Sequence, residues 1–135
     1  MAKSLSALPV GSVVKSTNTK YNGKVIRWIV GTQDTANGRT GLVAEKMITL
    51  KCFDAKESSN PNSSRQSYGN NRYSQSNVDQ WLNSQDAAWY SARHSYDAPP
   101  NNANVWSNYN EYDTEAGFLS NFESDFRKAI LDAVI

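Results

Sequence analysis

The sequence predicts an α+β fold, with a small antiparallel sheet from the N-terminal half covered by short helices and long Asn-rich loops from the second half. Three observations predict it. Apolar residues between Val13 and Phe53 alternate in short runs separated by brief turns, which permits hairpins and not parallel crossovers. After Ser76 the apolar spacing changes to three and four residues, next to Ser, Asn and Asp residues suited to helix capping. Between these regimes, residues 54–76 are rich in Ser and Asn with no apolar period, the composition of a long polar loop.

In chain order, residues 1–8 read as a flexible lead-in, and Pro9 with Gly11 as a turn. Val13 and Val14 start an edge strand that the polar run Ser16 to Thr19 should end. Asn22-Gly23 supplies a hairpin turn, because this dipeptide takes the positive φ angles of a two-residue loop. Lys24 to Val30 is the second strand, with Ile26, Trp28 and Val30 on one face and Val25, Arg27 and Ile29 on the other; Trp28 marks the core side. Gly31 to Thr40 reads as a loop, and Leu42 to Ile48 as a third strand of imperfect alternation.

The second half starts with Ser76 or Asn77 capping a helix in which Val78, Trp81 and Leu82 form one stripe, with Asp79 near its positive end. Asp86 to Tyr90 offers a further helical turn. The next stretch, through Pro99 and Pro100, is loop, yet it carries Tyr96, Trp106, Tyr109 and Tyr112. Asp113 or Thr114 can cap a turn through Phe118 and Leu119. Ser124 can cap a last helix with Phe126, Ile130 and Val134 spaced by four, and the sequence ends on the apolar Ile135.

A length of 135 residues fits a single domain spanning 1–135. No run approaches the roughly 20 apolar residues of a membrane span, and the first residues lack the long apolar region of a signal peptide. Cys52, the one cysteine, excludes an internal disulfide and lies between Leu50 and Phe53, the setting of a buried and inert thiol. The net charge of +1 hides an asymmetry. Residues 1–75 hold eleven Lys/Arg against four Asp/Glu, and residues 76–135 hold three against nine. Such a split fits either pairing within one domain or head-to-tail contact between copies. The basic half lacks a dense Lys/Arg run interleaved with aromatics, so no nucleic-acid partner is expected.

Several segments carry a resemblance: FDAKE at Phe53–Glu57, YGNNRYSQSN at Tyr68–Asn77, QWLNS at Gln80–Ser84, WYSARHS at Trp89–Ser95 and DAPPNNANVWSNYNEYDTEAGFL at Asp97–Leu119. Over about Leu8 to Leu131 the chain resembles a family of bacterial and bacteriophage domains of unknown function, found in prophage regions near tail genes and as modules of larger surface proteins. Longer members continue into a half rich in Trp, Arg and Gly that is similar to the C-type-lectin-like fold. The resemblance implies that this chain corresponds to the N-terminal half of such a fold, and that it ends before the second half.

Chemistry-bearing residues form no standard set. His94 with Asp97, Asp113 and Glu115 matches no metal-ligand spacing, so no metal and no cofactor are expected. A glycosidase pair drawn from Asp97, Glu111, Asp113 and Glu115 needs a cleft that linear proximity does not provide. Cys52 with His94 fails as a nucleophilic pair, because an apolar setting raises the thiol pKa. The chain is therefore expected not to be an enzyme. Its aromatic and amide residues are the stronger signal. Tyr68, Arg72, Tyr73, Tyr96, Trp106, Tyr109 and Tyr112 suit a protein interface, where Tyr, Trp and Arg are enriched anchors. They equally suit a glycan site, where rings stack on sugars, or the pinning of long loops to the body. The expected function is a structural, virion-associated protein acting through protein contacts in an oligomer, with other virion proteins as partners; the alternative is a carbohydrate-binding module for host surface glycans. The expected location is the virion, tail or surface, after assembly in the cytoplasm.

Overall fold

A computed structural model describes residues 4–106 and 111–130. The chain divides into two compact units, one made of Met1–Thr49 with Glu123–Ile135 and the other of Leu50–Phe122. The α+β reading holds: a three-stranded antiparallel sheet in the order β1-β2-β3 is accompanied by short helices.

In the first unit, β1 spans Val13–Tyr21, β2 Lys24–Asp34 and β3 Arg39–Ala44. Asn22 and Gly23 turn the first hairpin with φ of 47° and 74°, positive values that Asn tolerates and that Gly, lacking a Cβ, takes freely. β1 is much longer than Val13–Val14, because the polar run stays in the strand as an irregularity. Its register shifts between Lys15 and Lys20, and the Asn18 N–H donates to Ser16 Oγ at 3.1 Å. Thr19, fully buried, accepts from the indole N–H of the half-buried Trp28 at 2.9 Å, so a polar residue serves the inner face by satisfying a tryptophan. β2 likewise runs past Gly31, with a second register shift between Val30 and Thr32, while β3 itself alternates strictly between more and less exposed residues. β3 ends at Ala44, earlier than the sequence pattern implies. Val30, Ile26 and Tyr21 are buried along the inner side. On the outer side Val13 pairs with Ile29 and Ile29 with Val43, while Lys15 pairs with Arg27.

Leu5–Ala7, expected as part of a flexible lead-in, is a single 3₁₀ turn. The Gln33 amide donates to the Leu5 and Leu8 carbonyls, both at 2.8 Å, and so fixes it. The last helix described, α3, spans Ser124–Ala129 with Glu123 at its N-cap; Ser124 is its first residue and not its cap. The helix ends at Ala129, and Ile130, expected on its apolar stripe, is already extended; Val134 and the apolar Ile135 lie outside the described residues.

The second unit holds α1 (Ser63–Tyr68) and α2 (Asn77–Leu82), with 3₁₀ turns at Tyr73–Gln75 and Phe118–Asn121. α1 falls within the stretch expected as a loop. Asn62 caps it by accepting from the Ser64 and Arg65 N–H groups, but no α1 residue is buried, which is why apolar periodicity misses it. α2 starts where expected, with Ser76 accepting the Asp79 N–H. The turn expected at Asp86–Tyr90 is not helical; the Asp86 carbonyl instead accepts from Gly117 N–H at 2.9 Å. The core is aromatic. Trp81, 1% exposed, meets the Tyr112 ring edge-on at 5.6 Å and tilts against Phe118 at 5.1 Å. Trp89 stacks on Tyr112 at 5.4 Å.

Candidate functional site

The second unit contains two arrangements that a reading of the chemistry must separate: a buried polar clasp and an exposed aromatic pair. The clasp forms around Asp54, 4% exposed. Its carboxylate accepts the Asn70 N–H at 2.6 Å and the Asn77 N–H at 3.0 Å. Asn77 answers with its side-chain oxygen, which accepts the Ala55 N–H at 2.7 Å, while its amide nitrogen donates to Asp97 at 3.3 Å and to the Ala98 carbonyl at 3.1 Å. Asp97 accepts further bonds from the Gln80 amide and the Arg93 N–H, each at 3.0 Å. Burial pushes the Asp54 carboxyl up to about 6, against the lowering effect of its two backbone donors and with the help of the nearby Asp97 and Glu57 charges.

His94 borders this network. Its Nε2 lies 3.0 Å from the Gln75 carbonyl and its Nδ1 3.4 Å from the Ser95 carbonyl. Glu57 and Asp97 stand 3.9 Å away, one at each ring nitrogen. Partial burial acts to lower the imidazole pKa, but the Gln75 carbonyl, the Asp97 charge and then Ser95 and Glu57 outweigh it and leave it raised. Glu57, itself buried, accepts from the Asn60 amide. Cys52 donates its thiol to the Asp54 carbonyl at 2.8 Å, and burial raises its pKa, a setting that suppresses the thiolate. Asp54 and Asp97 are thus engaged by backbone and amide donors that join three sequence segments, whereas the second oxygen of Glu57, Oε1, is buried with no hydrogen bond from the described residues, 3.9 Å from His94 Nδ1. Among the described residues, no group of three or more His, Cys, Asp or Glu is arranged to hold a metal ion.

The residues singled out from sequence are distributed over both the core and the surface. Tyr68 and Trp106 come together: they are 72% and 62% exposed, and their rings lie nearly parallel, 19° apart with centroids at 6.4 Å. The Trp106 indole N–H donates to the Ser67 carbonyl at 2.9 Å, and the Lys56 ammonium lies 5.3 Å from the Trp106 ring centroid. Lys56 is held in turn by its own N–H, which donates to Asn104 O at 2.8 Å. Tyr112 is instead a core residue, fully buried, with its hydroxyl donating to the Cys52 carbonyl at 2.8 Å; its ring is spent on Trp81 and Trp89. Tyr73 and Tyr96 are about half exposed and make no ring contact among the described residues. Arg72 is exposed, with its N–H donating to the Asn70 side chain at 3.0 Å. Tyr109 lies outside the described residues.

Lys56 is the residue that sequence reasoning missed at the aromatic pair. Asp54, Asn77 and Gln80 are those it missed in the clasp. Their signal was present in the unusual segments FDAKE, YGNNRYSQSN and QWLNS, where polar residues directly flank core positions. The first unit contributes a separate groove of about 380 Å³, lined by Tyr21, Lys24, Arg27, Glu45, Lys46 and Met47 among others. Two of its lining residues, Arg27 and Glu45, form an ion pair at 2.7 Å.

Residues 27–135 match the sequence model of a family described as domain of unknown function (DUF6273). Neither a curated protein nor a solved structure matches the chain.

Proposed function

We propose that this chain, which belongs to the DUF6273 family, is a non-enzymatic structural protein of a bacteriophage or prophage particle, tail-associated or at its surface, acting through protein contacts in an oligomer. The observation that carries this reading is the outer face of the sheet. A solvated sheet face ordinarily carries polar residues. Here Val13, Ile29 and Val43 align across the three strands, with Val13 47% and Val43 61% exposed, beside the Lys15–Arg27 pair. The unit that bears this face holds nine Lys/Arg against five Asp/Glu, and Leu50–Phe122 holds five against eight. An apolar row set among basic groups, with an acidic unit in the same chain, supports head-to-tail contact between the sheet face of one copy and the acidic unit of the next. The commitment of Asp54 and Asp97 to internal donors supports a role other than acid–base catalysis.

The particle setting rests on the resemblance to modules found near tail genes, and correspondence to the N-terminal half of a C-type-lectin-like fold is part of the same proposal. Assembly in the cytoplasm followed by residence in the virion is the location it implies. Sedimentation and light scattering over a wide concentration range test it. The expected result is association that grows with concentration and weakens with added salt and with Val43→Asp. A monodisperse monomer throughout, without affinity for virion components, overturns it.

A further inference from the structure

We infer that Tyr68, Trp106 and Lys56 form a carbohydrate-binding platform for a pyranose-containing glycan. Tyr68 and Trp106 stand 72% and 62% exposed and adjoin each other, so they form a contiguous apolar patch and not two scattered residues. Their nearly parallel planes, 19° apart, offer flat apolar area of the kind that stacks on the C–H face of a sugar ring. The one polar atom of the Trp106 ring is already donated to the Ser67 carbonyl at 2.9 Å. The indole therefore has a fixed orientation and presents an apolar surface, which limits what is lost in ordering it when a ligand arrives.

The polar half of recognition falls to Lys56. Its ammonium lies 5.3 Å from the Trp106 centroid and pairs with no carboxylate among the described residues. The ammonium lies over the Trp106 ring and so joins a cation to an aromatic surface; this combination suits a ligand that is apolar on its face and rich in oxygen at its rim, and a pyranose carries both in one ring. A carboxylate on that ring, as in a uronic acid, adds a charge-assisted bond to Lys56. A Pro-rich peptide offers this cation only uncharged backbone carbonyls, whereas a uronic acid offers a carboxylate, so the acidic sugar fits the set better. Tyr68 closes α1, and Trp106 lies outside any helix or strand. The clasp of Asp54 with Asn70 and Asn77, and the bond from Lys56 N–H to Asn104, hold the segments that carry them.

The test uses the intact chain on an array of immobilised chito-oligosaccharides and oligogalacturonides, followed by tryptophan-fluorescence titration with each oligosaccharide bound. Wild type should bind, and Tyr68→Ala should lower affinity by about tenfold, the loss expected for one stacked ring. Tyr68 is exposed enough for its removal to leave the thermal midpoint unchanged. Trp106→Phe, which keeps a ring but drops the bond to Ser67, should weaken binding less than Trp106→Ala. Lys56→Gln should reduce binding of the oligogalacturonides more than that of the neutral sugars. Absence of binding to every sugar by wild type, unchanged affinity in Tyr68→Ala, or binding to Pro-rich peptides in place of glycans overturns the proposal. The association measured for the sheet face is independent of these outcomes.

Discussion

Asp54 and Asn77 hold each other's backbone: the Asp54 carboxylate accepts the Asn77 N–H at 3.0 Å, and the Asn77 side-chain oxygen accepts the Ala55 N–H at 2.7 Å. This reciprocal pair joins a bend to the first residue of α2, over a separation of 23 residues. Asn77 is fully buried, and its remaining amide protons go to Asp97 and Ala98. Asn77→Asp keeps the acceptor but turns a donor into a carboxylate facing Asp97. It should cost about 3–5 kcal/mol, as an uncompensated buried charge does. Urea unfolding measures it, with Asn77→Ala expected to be milder.

The same network fixes the sign of the pH response. The Asp54 carboxyl, pushed up to about 6 from 3.8, binds its proton more readily in the folded state. Its contribution to stability therefore declines as pH rises from about 4 to about 6 and is level above that window. His94 has a raised pKa, so its contribution is complete below the ordinary 6.5 and is lost as pH rises through the folded value. Both groups make the protein less stable toward alkaline pH. In urea unfolding across the range from about pH 4 to about pH 8, His94→Gln should flatten the decline at the upper end and Asp54→Asn the decline at the lower. A wild-type stability that rises through both windows contradicts the assignment of these groups as the dominant ones.

Gly69 closes α1 at φ 76°, and a Cβ there would stand 2.5 Å from the Ala55 carbonyl oxygen and 3.0 Å from Asp54. Gly69→Ala combines the left-handed penalty of about 1–2 kcal/mol with a clash against backbone that cannot swing aside. The thermal midpoint should drop more than for Gly38→Ala, where φ is 65° but nothing lies within 4 Å of the added atom.

Tyr112 separates a core role from a surface one. Tyr112→Phe keeps the ring against Trp81 and Trp89 and removes only the bond to the Cys52 carbonyl. It should cost about 1–2 kcal/mol for the carbonyl left unpaired. Neither self-association nor sugar binding should change, since the ring is fully buried.

What the sequence makes legible is whatever is encoded locally. The Asn22-Gly23 turn, the alternation of Ile26, Trp28 and Val30, and the cap at Ser76 ahead of Trp81 are each a few residues long, and each appears where the pattern puts it. β1 is longer than expected because Thr19 behaves as an inner residue once Trp28 needs an acceptor, a pairing between strands that propensity does not contain. α1 stays hidden because it buries nothing. Tyr68, Trp106 and Tyr112 are alike as residue types in polar surroundings. Only tertiary partners divide them, with Tyr112 taken by Trp81 and Trp89 and the other two left to pair on the surface. The Lys56–Trp106 contact spans fifty positions and leaves no local trace.

The clasp also decides how order in the second unit would be perceived. The amide protons of Ala55, Asn70 and Asn77 end on buried side-chain oxygens and not on a ladder or a helical turn. Far-ultraviolet circular dichroism, which reports helix and strand, would register much of this segment as irregular. Hydrogen–deuterium exchange would instead find these amides among the slowest in the chain, and the packed Trp81, Trp89 and Tyr112 rings would give a strong near-ultraviolet signal. Spectroscopic disorder and kinetic protection would thus coexist in the same residues.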